Sequence, residues 1–71
     1  MTEVERLRKA KGLRLVQLAR LVGVWDCDLT LVEHRDRKPW PRLRKALAEA
    51  LDVTEAALFT AQGWPREEDD L

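Results

Sequence analysis

An all-helical domain of five short helices is what this chain predicts, on three observations. Apolar residues recur at i, i+3 and i+4. Glycine, proline and threonine stand where helices need to start or stop. No segment alternates like a strand. The first helix is expected over residues 3–11. Thr2 with Glu5 three positions on forms a capping box, and Val4, Leu7 and Ala10 give an apolar face. Gly12 ends it, because glycine turns left-handed without Cβ strain. The second helix is expected over Leu15–Val22, with Leu18, Ala19 and Val22 on one face and small Ala19 allowing a close helix crossing. Gly23 suits the tight turn that follows, and Val24 reaches back to the core. The third helix runs over residues 26–34, with Leu29 and Val32 inward. Residues 35–40 read as a charged loop. Pro41 suits the first turn of a fourth helix, where its missing N–H costs nothing. That helix continues through Leu43, Ala46, Leu47 and Ala50 to Leu51. Thr54 caps a fifth helix carrying Leu58 and Phe59. Gly63 and Pro65 punctuate its end. The division expected is a domain over residues 1–62 and an acidic tail over 63–71.

Size and composition narrow the classes. Seventy-one residues allow one domain with a small core, marginal unless its helices are well made or a partner adds surface. A single cysteine excludes an internal disulfide, and with one histidine it excludes a thiolate metal site. No signal peptide is written at the start, and no apolar run reaches membrane-spanning length. A cytoplasmic, reducing location is the expectation, with no cofactor and no membrane partner. The net charge of zero hides a pattern. Residues 1–24 carry +4, residues 25–34 carry −3, residues 35–45 carry +5 and residues 46–71 carry −6. A local basic patch can still hold a polyanion, because screening confines each field to about 10 Å.

Between Gly12 and Pro39, two short amphipathic stretches meet at Gly23-Val24, which is how a helix-turn-helix is written. With Arg8, Gly12-Leu13, Leu18-Ala19, Gly23-Val24, Leu29, Val32-Glu33, Lys38-Pro39, Leu43, Ala46, Leu47, Leu51-Asp52-Val53 and Leu58-Phe59 in order, the chain resembles the lambda-repressor-like, Cro/C1-type helix-turn-helix family. The resemblance covers residues 4–59. Each piece alone is weak, and the ordered set is more specific for fold than for target. It implies a compact five-helix DNA-binding domain with the helix-turn-helix at helices 2 and 3. It implies an ion pair between Arg8 and Glu33 that holds the fold. It also implies that Arg14 and Leu15 face a phosphate, that Asp26, Cys27, Asp28, Thr30 and Leu31 enter the major groove, and that Arg35, Arg37 and Lys38 grip the backbone. Arg42 and Arg44 are weaker additions.

The chain departs from the family at the reading surface. Arg14-Leu15 replaces a common Ser-Gln pair, and leucine cannot make glutamine's amide contact. Trp25 replaces a serine at the opening of helix 3. Indole cannot accept the capping N–H bond, so Asp26 is expected to cap instead. Asp26 and Asp28 admit three roles. They can complement the helix dipole, accept from cytosine N4, or recognise a basic protein surface while repelling DNA. Arg14, Arg35, Arg37 and Lys38 flank them and can neutralise backbone charge. Thr30 and Leu31 can touch a thymine methyl. Cys27 is most simply a small polarizable side chain.

Core demand does not use every apolar residue. Leu15, Val16, Leu21, Trp25 and Leu31 fall partly outside the inward phases, and Trp40 and Trp64 add two large rings. Such a set marks either an interface or local packing. Trp25 would then cover the open end of helix 3, Trp40 would lie on helix 4, and Trp64 would act as a lid or a dimer contact. Two copies related by a two-fold axis read two half-sites about one DNA turn apart. No active site is written. The chain has no serine, its carboxylates form no paired array, and it lacks a phosphate-binding glycine loop. The function expected is a small DNA-binding transcriptional regulator, a repressor or recruiter acting by occupancy on double-stranded DNA, with a homodimer as one form. The alternative is a protein-interaction module on the same fold, whose face around Leu15, Trp25, Asp26, Asp28 and Leu31 binds a regulatory protein. A repressor, a polymerase subunit and a toxin are the classes of partner.

Overall fold

A computed structural model describes residues 1–67. Within them the chain is all-helical, with α1 at Glu3–Ala10, α2 at Leu15–Val22, α3 at Asp26–Glu33, α4 at Pro41–Leu51 and α5 at Glu55–Leu58. Ala10, placed by spacing on the apolar face of α1, is exposed, because α1 ends there and only Val4 and Leu7 reach the core.

Four helices stop by one device. A left-handed residue follows each of them: Gly12, Gly23, Arg35 and Asp52, with φ of 71°, 77°, 60° and 60°. The next N–H then donates to the carbonyl five residues back. Leu13 bonds Arg8, Val24 bonds Ala19, Asp36 bonds Leu31 and Val53 bonds Ala48, at 3.0, 3.0, 2.8 and 3.0 Å. This arrangement satisfies carbonyls that a helix end leaves without partners.

α4 is the central element. It packs on α1, α2 and α5, while α3 packs mainly on α2. The core consists of Val4, Leu18, Ala19, Leu29, Val32, Leu43, Leu47, Ala48, Leu51, Leu58 and Phe59. Leu7, Leu13, Leu15, Val22 and Val24 are half-buried against it. Burying such side chains contributes about 1.5–3 kcal/mol each, which is the main force holding a chain this small.

Two polar ties cross between α1 and α3. Thr2 is buried, and its Oγ1 accepts from the Glu5 N–H at 3.4 Å while donating to the Glu33 carbonyl at 2.8 Å. The returning half of the expected capping box is not made, because the Glu5 carboxylate lies on Lys9 at 2.9 Å. Arg8 donates from Nε and Nη2 to the Glu33 carboxylate at 2.7 and 3.2 Å, and from Nη1 to the Leu13 carbonyl at 2.9 Å. The carboxylate of Glu33 is thus paired through both oxygens, as a buried charge requires.

The segment after residue 62, expected as a tail, is part of the packed structure through Glu67. Gly63 and Pro65 are buried. The Thr60 N–H donates to the Trp64 carbonyl, the Arg66 N–H to the Leu58 carbonyl, and the Glu3 N–H to the Arg66 carbonyl, each at 2.8 Å. Glu3 opens α1, so its N–H has no partner inside the helix, and the returning chain supplies one. Isolated bridges join Phe59 to Pro65 and Thr2 to Glu67. The rest of that expected tail, residues 68–71, lies outside the described residues.

Candidate nucleic-acid interface

α3 opens without a side-chain cap. Trp25 precedes it in an extended conformation, as any N-cap does, but its indole accepts nothing. Asp26, expected as the cap, is the first residue of the helix instead. Its Oδ1 accepts from the Cys27 N–H at 3.0 Å, so the carboxylate still serves a donor that the helix start leaves free. Asp28 points to the loop after the helix, where Arg37 Nη1 donates to its Oδ1 at 2.9 Å. The side chains of both remain partly open to water, so the pair adds little stability. Its effect is local: it offsets one of the two carboxylates and occupies one of the loop cations.

The outward face of α3 carries Asp26, Cys27, Thr30 and Leu31. Asp26, Cys27 and Leu31 are exposed and Thr30 is half-buried. The Thr30 hydroxyl donates to the Asp26 carbonyl at 2.9 Å, so its proton is engaged within the helix. Arg14 is exposed at the start of α2, and its N–H donates to Gln17 Oε1 at 2.8 Å. Gln17 thus fixes the backbone beside Arg14. Glutamine three residues after an N-cap was the available sequence signal for it. Leu15 is half-buried against the core and offers only part of its side chain outward. Arg35, Arg37 and Lys38 are exposed in the loop, with Arg35 held in the left-handed position that closes α3.

The three tryptophans stand in different settings. Trp25 is 77% exposed, so most of it is not taken up by local packing over the end of α3. Leu21, on the outer side of α2, is 65% exposed. Trp40 precedes α4 at 41% exposure and lines a groove of about 350 Å³ with Val22, Gly23, Val24 and Arg42. Trp64 is half-buried in the closing turn, its backbone N–H donating to Thr60 Oγ1 at 3.2 Å. Among the described residues, no cluster of three or more His, Cys, Asp or Glu is placed to hold a metal ion, and no helix is long and apolar enough to cross a membrane.

Comparison of the chain with known protein families, with curated proteins and with solved structures gives no match in any of the three.

Proposed function

We propose that this chain is a small DNA-binding regulator of the Cro/C1 type, with a lambda-repressor-like fold and α3 as its reading helix. One observation carries the reading. Two eight-residue helices, α2 and α3, are joined through left-handed Gly23, and the outer face of the second is open beside a basic loop. An exposed helix of this kind fits the width of a major groove, about 12 Å. Arg14 before it and Arg35, Arg37 and Lys38 after it supply the phosphate contacts that set register. Arg37 reaches the duplex by exchanging Asp28 for a phosphate. That exchange lowers the attraction gained from this loop without abolishing it.

The test is a salt titration on duplex DNA. Replacing Arg37 and Lys38 by alanine should weaken binding to all sequences alike and reduce the slope of log K against log salt by about one unit for each phosphate no longer neutralised. Unchanged affinity and slope would remove both residues from the interface.

The second reading is a protein-interaction module on the same fold. Trp25 favours it, since a ring 77% exposed beside an acidic helix start suits a protein surface with basic groups. In that case Trp25→Ala abolishes partner capture with helical content intact, and retained capture would exclude Trp25 as the anchor.

A further inference from the structure

The groove beside Trp40 is used by neither reading of function. Its apolar walls are Val22 and Val24, from the turn between α2 and α3, and Trp40, Leu43 and Ala46, from the start of α4. Arg42 is its one charged wall residue among the described residues. Arg42 is exposed, and no described carboxylate pairs with it. The groove therefore suits a bulky apolar group with a carboxylate at its side. At about 350 Å³ it lies at the lower end of the sizes that hold a small organic group.

The chain displays such a group next to the groove. Trp25 follows Val24 directly, so its Cα stands about 3.8 Å from that of a wall residue. The ring is 77% exposed and is not seated in the groove of its own chain. Asp26 comes next. It is exposed, and no described cation pairs with its carboxylate. A bulky ring and a free carboxylate thus stand on consecutive residues, beside a groove that lacks both.

We propose that the chain pairs with a second copy of itself by mutual insertion of Trp25. The ring of each copy enters the groove of the other, and Asp26 meets Arg42 of the second copy. Because ring and groove adjoin, one two-fold axis makes both insertions at once. Trp40 offers the ring an aromatic contact, and Arg42 offers it a cation. Two such rings and the walls they cover bury on the order of 800 Å². A stable complex buries about 1,200–2,000 Å², so the dimer is weak and depends on concentration. It sets the starts of the two α3 helices side by side. It therefore differs from two copies reading half-sites about 34 Å apart, and it rests on neither reading of function.

The experiment is sedimentation velocity on the full chain without DNA, from about 10 μM to 1 mM, the range in which a weak dimer forms. The weight-average mass should rise from one chain toward two. Trp25→Ala should weaken association by at least about tenfold, as loss of a buried aromatic anchor does. Asp26→Arg and Arg42→Asp should each weaken it, and the two combined should regain most of the loss, because the pair is then reversed rather than removed. All three side chains are exposed, so helical circular dichroism should stay unchanged and serves as the control for folding. A chain that remains monomeric at the highest concentration would overturn the proposal. So would a dimer that Trp25→Ala leaves intact, which would place the interface on another face. A double variant no tighter than either single one would also overturn it.

Discussion

Thr2, Arg8 and Glu33 tie the two ends of α1 to the end of α3, and all three are buried. Arg8→Ala leaves the Glu33 carboxylate buried without a cation, at a cost of about 3–5 kcal/mol. For a domain of this size each kcal/mol lowers Tm by about 4–8 °C, so thermal melting should show a loss of tens of degrees or no folded state. Replacing both partners by apolar residues of similar volume should recover much of that loss. Acid acts at the same end of the molecule. Arg6, by two hydrogen bonds, holds the Glu3 carboxyl below its ordinary value of 4.5, overcoming the opposing effect of burial, and the Lys9 ammonium lowers Glu5 in the same way. Folding favours the charged forms, so their stabilisation is complete above the unfolded value and is lost as pH falls through the lower folded values. Urea unfolding followed from pH 7 downward should therefore show this contribution intact until the ordinary glutamate range is reached. The decline below it should be shallower in Glu3→Gln. The pairing of Arg8 with Glu33 spans 25 residues, and charge alone does not single it out. Only the resemblance pointed to it. The tie from Thr2 to the Glu33 carbonyl had no sequence signal, because a threonine that caps a helix looks the same whether or not its hydroxyl also donates elsewhere.

Helix ends were readable where a residue type has one local use. Gly12 and Gly23 mark the stops of α1 and α2, Pro41 the start of α4 and Thr54 the start of α5. Arg35 and Asp52 do the work of glycine after α3 and α4, and their side chains do not advertise it. Gly23 is the clearest case for substitution. At a φ of 77°, with open space where a Cβ would stand, Gly23→Ala costs only the left-handed penalty, about 1–2 kcal/mol. Chemical denaturation should show that loss with unchanged helical circular dichroism. A much larger loss would mean that the turn between α2 and α3 is held by something other than backbone conformation. The contents of α3 were harder to read than its ends. Asp28 sits on the same helix face whether it meets solvent, DNA or Arg37, and the partner comes from a loop whose path the helical period does not give.

The closing segment joins both ends of the described chain, and its bonds run from Phe59–Glu67 back to Thr2 and Glu3. Ending the chain after Gln62 removes the carbonyl that serves Glu3 and the cover supplied by Pro65. It should lower Tm by on the order of 10 °C. An unchanged Tm would show that these bonds are replaced by water at no cost. Charge pattern suggested a solvated tail there, because acidic residues dominate its composition. The backbone hydrogen bonds and the buried Pro65 that pack it depend on residues distant in sequence. The all-helical class was open to sequence reading because short helices announce themselves locally. What the open face of α3 binds depends on the balance of Asp26 and Asp28 against Arg14, Arg35, Arg37 and Lys38. Selection from a randomised duplex pool at two salt concentrations measures that balance. An enriched, roughly palindromic motif whose binding weakens with salt is the result expected of a sequence-reading regulator. No enrichment, and no binding even at about 50 mM salt, where phosphate contacts are strong, would contradict it.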